Sequence, residues 1–148
     1  MSHAHCTVTV SHSLVKVEEN KRKAIFKNPK KNDYKVTIVD GCVIKTGVRS
    51  DYLVSEVGAA SVIVELKGVD VGHGCEQLFA TAKHSDIKPM LEGRVGFLMV
   101  CTRVPRFDTY IAKAKTRAAR EFRAGFQVVS DRGEFDIRQV ASIDGKGF

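Results

Sequence analysis

The 148 residues are 43% hydrophobic and 28% charged, which suits one folded domain and excludes wholesale disorder. No run approaches the ~20 apolar residues of a membrane-crossing helix. Residues 1–15 lack the basic and apolar regions of a secretory leader, so the expected setting is the cytoplasm, without a membrane partner.

The net charge of +7 is uneven along the chain. Residues 16–35 hold eight Lys or Arg against three acids, and residues 103–123 hold seven against two. The stretch between them is slightly acidic, with six against eight. Two basic segments around an acidic middle suit a phosphate-backbone binder with a central cation site. Cys6, Cys42, Cys75 and Cys101 form no CxxC pair, so free thiols in a reducing compartment are expected.

Residues 1–14 are expected as a flexible segment, followed by one domain over residues 15–148. Val15 to Phe26 predicts a short amphipathic helix ending before Pro29. Tyr34 to Val39 predicts a strand, and Asp40-Gly41 a hairpin turn with Cys42 to Ile44 returning. Asp51 to Glu56 predicts another strand. Ser61 to Lys67 predicts a central one, because its apolar character is nearly continuous. Gly72 to Lys83 reads as a helix with Cys75, Leu78, Phe79 and Ala82 on its buried stripe. Val95 to Cys101 reads as a strand, and Asp108 to Phe122 as a helix capped by Asp108. Phe126 to Val129 and Glu134 to Ile137 suggest a closing hairpin around Asp131-Arg132-Gly133. The fold class is α+β, a single domain with a mixed sheet, flanking helices, and a C-terminal helix and hairpin.

Glu65 and Lys67 interrupt the central apolar strand. A buried charge without compensation is costly. If the chain reverses at Val57-Gly58-Ala59, facing residues have numbers that sum to 116, and Asp51 lies opposite Glu65. Opposed carboxylates ~4.5–5.5 Å apart at Cβ repel each other unless a cation lies between them. Oxygen ligands of this kind suit Mg²⁺.

These residues resemble the PD-(D/E)xK nuclease superfamily. Asp51 in Val48-Arg49-Ser50-Asp51-Tyr52-Leu53 and Glu65-Leu66-Lys67 in Val62-Ile63-Val64-Glu65-Leu66-Lys67-Gly68 carry the match, with Ser50 where the pattern has proline. The resemblance spans roughly residues 15–105 and implies a restriction-endonuclease-like αβββαβ core. It implies a nuclease that hydrolyses phosphodiester bonds, most readily of DNA. Asp51, Glu65 and the Leu66 carbonyl would hold Mg²⁺ or Mn²⁺, and Lys67 would be the catalytic lysine. A further metal-binding Glu from the first helix would be Glu18 or Glu19. Gln77 would support the site. The alternative is a non-catalytic nucleic-acid-binding or protein-interaction module that keeps the fold. Few residues lie beyond the core, so specificity is expected from a homodimer or larger complex.

Lys113, Arg117 and Arg120 fall at helical spacing and suit phosphate contacts. His73 lies near a helix start, where an anion would bind. His3, His5, Cys6 and His12 match no standard zinc spacing, so they read as residues of a loose terminus.

Overall fold

The computed structural model describes residues 3–68, 70–104 and 109–148, and the side chains of all of these except 67 and 68. Its strands are β1 (Thr7–Val10), β2 (Leu14–Glu19), β3 (Arg22–Lys27), β4 (Tyr34–Ile38), β5 (Tyr52–Glu56), β6 (Ala60–Gly68), β7 (Arg94–Cys101), β8 (Gly125–Ser130) and β9 (Arg132–Phe135). Its helices are α1 (Val71–Lys83), α2 (Thr109–Phe122) and the single turn α3 (Ile137–Val140). The fold is α+β with a mixed sheet.

Six strands form the main sheet in the order β1-β4-β5-β6-β7-β8. The first four run antiparallel to their neighbours, and β6, β7 and β8 are parallel. Parallel neighbours need a crossover, and α1 and α2 supply the two crossovers. Both helices lie on one face, over Leu53, Ile63, Phe97 and Met99. The smaller sheet β2-β3-β9 and α3 cover the other face, over Val54, Val62, Val64, Leu66, Leu98 and Val100. Residues 61–66 of β6 are therefore buried on both sides, which is why the run reads as continuously apolar.

Several expected elements are corrected. Residues 15–26 form the hairpin β2–β3, not a helix. Val15 and Val17, then Ala24 and Phe26, are buried at a spacing of two, and Asn20 and Lys21 both take positive φ (51° and 68°). Two such residues make the reversal that matches strand twist. The apparent helical spacing arises from two period-2 patterns joined by a two-residue turn.

Residues 7–10 are not loose. They form β1, which pairs with β4, and the Thr7 and Thr37 hydroxyls lie 2.8 Å apart. Cys6 and Cys42 form a disulfide, while Cys75 and Cys101 are free and buried. The expectation of four free thiols thus holds for two. Closing a loop of 36 residues restricts the unfolded chain by about 3–4 kcal/mol in the chain-entropy model.

Residues 42–44 do not return as a hairpin strand. Gly41 takes φ 80°, and Ile44 N–H donates to the Val39 carbonyl in a compact turn. The partners of β4 are β1 and β5. Likewise β8 and β9 do not pair as a hairpin. Asp131 (φ 60°) passes the chain from the main sheet to the smaller one, where β9 runs parallel to β3. The expected cap Asp108 lies outside the described residues. Among the described residues no helix is long and apolar enough to cross a membrane.

Candidate active site

The turn at residues 57–59 sets the register of β5 on β6. Gly58 takes φ 76°, and the paired residues run from Glu56↔Ala60 to Tyr52↔Val64, so their numbers sum to 116 as expected. Past Tyr52 the strand β5 ends while β6 continues for four residues. Asp51 and Glu65 come next in the register, at the point where the pairing stops. Both are buried, at 2% and 1% exposure. Leu53 and Ile63, two residues inward, face the helices, which puts Asp51 and Glu65 at helix-side register positions. Glu65 also pairs with Met99 of β7, whose thioether lies against Gly74 of α1. A Cβ on Gly74 would sit 2.7 Å from the Met99 methyl, so glycine lets α1 approach the sheet closely here.

The β6–β7 ladder shifts register between Glu65 and Gly68. A bulge of this kind re-aims side chains and interrupts backbone pairing, and such bulges are common beside active sites. It falls on Glu65-Leu66-Lys67. The Leu66 side chain is buried on the opposite face of the sheet, while its N–H donates to Asp51 Oδ2 at 2.8 Å. The Asp51 carboxylate thus takes over the acceptor role that β5 would have supplied. Lys67 lies in β6, and its side chain is outside the described residues.

The segment carrying Asp51 is fixed from two sides. Val39 and Asp40 donate their N–H groups to the Asp51 carbonyl, at 3.0 and 3.3 Å. From α1, the buried Thr81 hydroxyl accepts from Ser50 N–H (2.8 Å) and Ser50 Oγ (2.9 Å), and donates to the Gln77 carbonyl. Gln77 Nε2 donates to the Arg49 carbonyl at 3.0 Å, and Arg49 Nε donates to Asp40 Oδ1 at 2.7 Å. Gln77, singled out from the sequence, therefore holds the backbone two residues before Asp51. Sequence reasoning misses Ser50 and Thr81. The available signal is a threonine inside the apolar stripe of α1, one turn after Gln77.

The two acid candidates now separate. Glu18 is exposed and ion-paired to Lys23 (3.3 Å) and Lys16 (3.9 Å). Glu19 is half-buried on the same side of β2 as Val15 and Val17. Burial pushes the Tyr52 phenol up, and the negative charges of Glu19 and Asp51 add to the shift. Glu19 thus acts electrostatically on the same tyrosine as Asp51. The first-helix origin of this glutamate is corrected, because it sits on a strand of the smaller sheet.

Arg117 is not an open cation. It packs over the Phe79 ring at 4.4 Å and pairs with Glu76 and Glu121, each at 3.2 Å, so it ties α2 to α1. Lys113 and Arg120 on the same helix are exposed. His73 is exposed, and its N–H is capped by Asp70 Oδ1 at 3.1 Å. A cavity of about 640 Å³ lies over β1, β4 and β5, lined by Thr7, Thr37, Lys35 and Ser55, and neither Asp51 nor Glu65 lines it.

No family model matches the chain, and neither a curated protein nor a solved structure matches it.

Proposed function

We propose that this protein is a Mg²⁺- or Mn²⁺-dependent nuclease of the PD-(D/E)xK type acting on DNA. The observation that carries the reading is the pair Asp51 and Glu65. They are two buried carboxylates at the positions that follow the last β5–β6 pair, Tyr52↔Val64, where β5 ends and β6 bulges. Two carboxylates brought to one end of a sheet supply the oxygen ligands that a hard divalent cation takes. The donor set is all oxygen and fits Mg²⁺: Asp51, Glu65 and the Leu66 carbonyl, whereas Glu19 lies on the side of β2 that packs on the opposite face of the sheet. Bound there, such an ion would neutralise charge on the attacked phosphate and lower the pKa of a bound water.

The chain's own groups supply the rest. The Leu66 N–H and the Ser50–Thr81–Gln77 contacts hold Asp51 in one orientation, so little reorganisation is needed when charge develops. Lys67, two residues after Glu65, would stabilise the added negative charge or orient water. The antiparallel run β4-β5-β6 followed by the parallel crossover β6-α1-β7 supports an endonuclease-like core. In that reading the hairpin β2–β3 stands where the resemblance implies a first helix. Lys113 and Arg120 would contact phosphates remote from the cut, and DNA as substrate goes with a cytoplasmic setting.

Lys67→Ala tests the assignment. Cleavage should be lost while calorimetry still detects Mg²⁺ binding, because the ammonium is not a ligand. Joint loss of both would remove Lys67 from this role.

A further inference from the structure

Three histidines and two cysteines that look scattered in the sequence meet at one corner of the fold. Because β1 pairs with β4, the segment His3-Ala4-His5-Cys6 lies beside the turn that follows β4, which carries Cys42. One ligand atom each from His5, Cys6 and Cys42 lie within 4.8 Å of one another. His84 and Asp86, just after α1, line the same cavity of about 340 Å³ together with His3, His5 and Cys42.

We propose that this corner is a zinc site, available when the Cys6–Cys42 disulfide is reduced. The ligands are the Cys6 and Cys42 thiolates, His5 and His3. Thiolate and imidazole are the donors that zinc prefers, and hard cations such as Mg²⁺ do not compete for them. Zn–S bonds of ~2.3 Å and Zn–N bonds of ~2.0–2.1 Å in a tetrahedron put neighbouring N and S ligands about 3.5 Å apart. His5 Nε2 and Cys6 Sγ are already 3.5 Å apart. The two Cα atoms are 5.8 Å apart, so side-chain rotation alone can bring the released sulfurs to the ~3.8 Å of a tetrahedral edge.

The surrounding groups fit as well. His3 Nε2 lies 3.2 Å from Asp86 Oδ2. With its proton on Nε2, the ring is oriented by the carboxylate and presents Nδ1 to the metal, the usual arrangement around a ligating histidine. The His3 and His5 ring centroids are 6.5 Å apart, so His3 closes by roughly 1–2 Å to complete the tetrahedron. His5 is exposed and Cys42 half-buried, which leaves a route for the ion from solvent.

Two equivalents of a small thiol reduce the disulfide and leave as their own disulfide. The protein gains two thiols, and zinc binding then releases two protons as both become thiolates. In a thiol-rich compartment the metal would preserve the tie between β1 and the turn after β4 that the disulfide provides under oxidising conditions.

The test uses the full chain reduced with a phosphine, then titrated with Co²⁺ and displaced with Zn²⁺. The expected result is one equivalent of cobalt, with thiolate-to-metal charge transfer and tetrahedral visible bands that zinc removes. The oxidised protein should show none of these bands. Asp86→Asn should weaken zinc binding about 10–100-fold, and His5→Ala by more than that. His5 is exposed, so His5→Ala should leave the fold of the reduced chain unchanged, which circular dichroism of the metal-free reduced variant checks. Cys42→Ser should abolish the charge-transfer band, whereas Cys75→Ser should leave it unchanged. Equal cobalt binding by oxidised and reduced protein would overturn the proposal, as would unchanged affinity in His5→Ala or no tetrahedral spectrum in the reduced chain. None of these readouts depends on nuclease activity, so failure here is distinct from failure of the Asp51–Glu65 reading.

Discussion

The N–H of Leu66 donates to the carboxylate of Asp51 at 2.8 Å. One hydrogen bond therefore links the residue before β5 to the middle of the Glu65-Leu66-Lys67 triplet on β6. The two parts of the nuclease-like pattern are 15 positions apart along the chain and in direct contact in the fold. Their relative placement does not depend on a long or mobile loop, because the register of two central strands sets it.

The hold on Asp51 from α1 is testable through Thr81. Thr81→Val keeps the shape but removes the acceptor for both Ser50 N–H and Ser50 Oγ, which are buried. Each buried polar group left without a partner costs about 1–3 kcal/mol. Chemical denaturation should show a loss of roughly 2–4 kcal/mol on that basis. Thr81→Ser restores the hydroxyl and should recover most of it. Equal stability of the valine and serine variants would mean that the hydroxyl does not hold the segment.

Arg117 and its two helical neighbours should behave differently. Lys113→Ala and Arg120→Ala remove exposed charges. For each phosphate that such a variant leaves unneutralised, the slope of log affinity against log salt for duplex DNA should flatten by about 0.9. Their thermal stability should be unchanged. Arg117→Ala should instead lower the melting temperature, because it removes a guanidinium stacked on Phe79 and paired with two glutamates. A slope change for Arg117→Ala with no loss of stability would contradict this division.

Glu56 gives a pH-dependent prediction. Burial alone would raise its carboxyl, but hydrogen bonds from Arg138 and Asn32 and the Arg138 charge outweigh that and hold it below the usual value of 4.5. A depressed folded-state pKa stabilises the protein above the unfolded pKa and loses that contribution as pH falls through the folded one. Arg138 is 41% exposed at its side chain, so solvent screens the pair. Arg138→Met should destabilise by about 1–2 kcal/mol at pH 7, mostly by leaving buried Glu56 without its partner. The gap between wild type and variant should shrink steadily once the pH drops below the ordinary carboxylate range. A gap independent of pH would assign the effect to packing against Phe148, whose ring lies 5.4 Å from the guanidinium.

Reducing the disulfide without metal present should also be measurable. Urea unfolding of the phosphine-reduced chain in EDTA should show a loss of up to about 3–4 kcal/mol relative to the oxidised chain, since the closed loop is long. Identical midpoints would show that the β1–β4 pairing holds this corner unaided.

The parts of the fold legible in the sequence are those fixed by nearby residues. The reversal at Gly58 and two apolar runs set the β5–β6 register, which runs from Glu56↔Ala60 to Tyr52↔Val64 and stops just before Asp51 and Glu65. The stripe Cys75, Leu78, Phe79 and Ala82 marks the buried face of α1. What stays hidden depends on distant partners. The hairpin β2–β3 matches a helical spacing by coincidence, and only Val15, Val17, Ala24 and Phe26 packing on the main sheet decides between the two. Asp131-Arg132-Gly133 has hairpin composition, yet β8 pairs with β7 and β9 with β3, partners that lie far away along the chain. Cys6 and Cys42 are brought together by the β1–β4 ladder, which no local pattern announces. The Ser50–Thr81 contact depends on where α1 docks.

Cleavage of mixed single- and double-stranded DNA with Mg²⁺ or Mn²⁺, run against EDTA, tests the central claim most directly when wild type, Asp51→Asn and Glu65→Gln are compared. Wild type should cut only with the divalent ion. Each amide variant should lose activity by orders of magnitude, while its melting temperature in EDTA stays level or rises, because the repulsion between facing carboxylates is relieved. Cleavage by wild type in EDTA, or undiminished cleavage by both variants, would contradict the account.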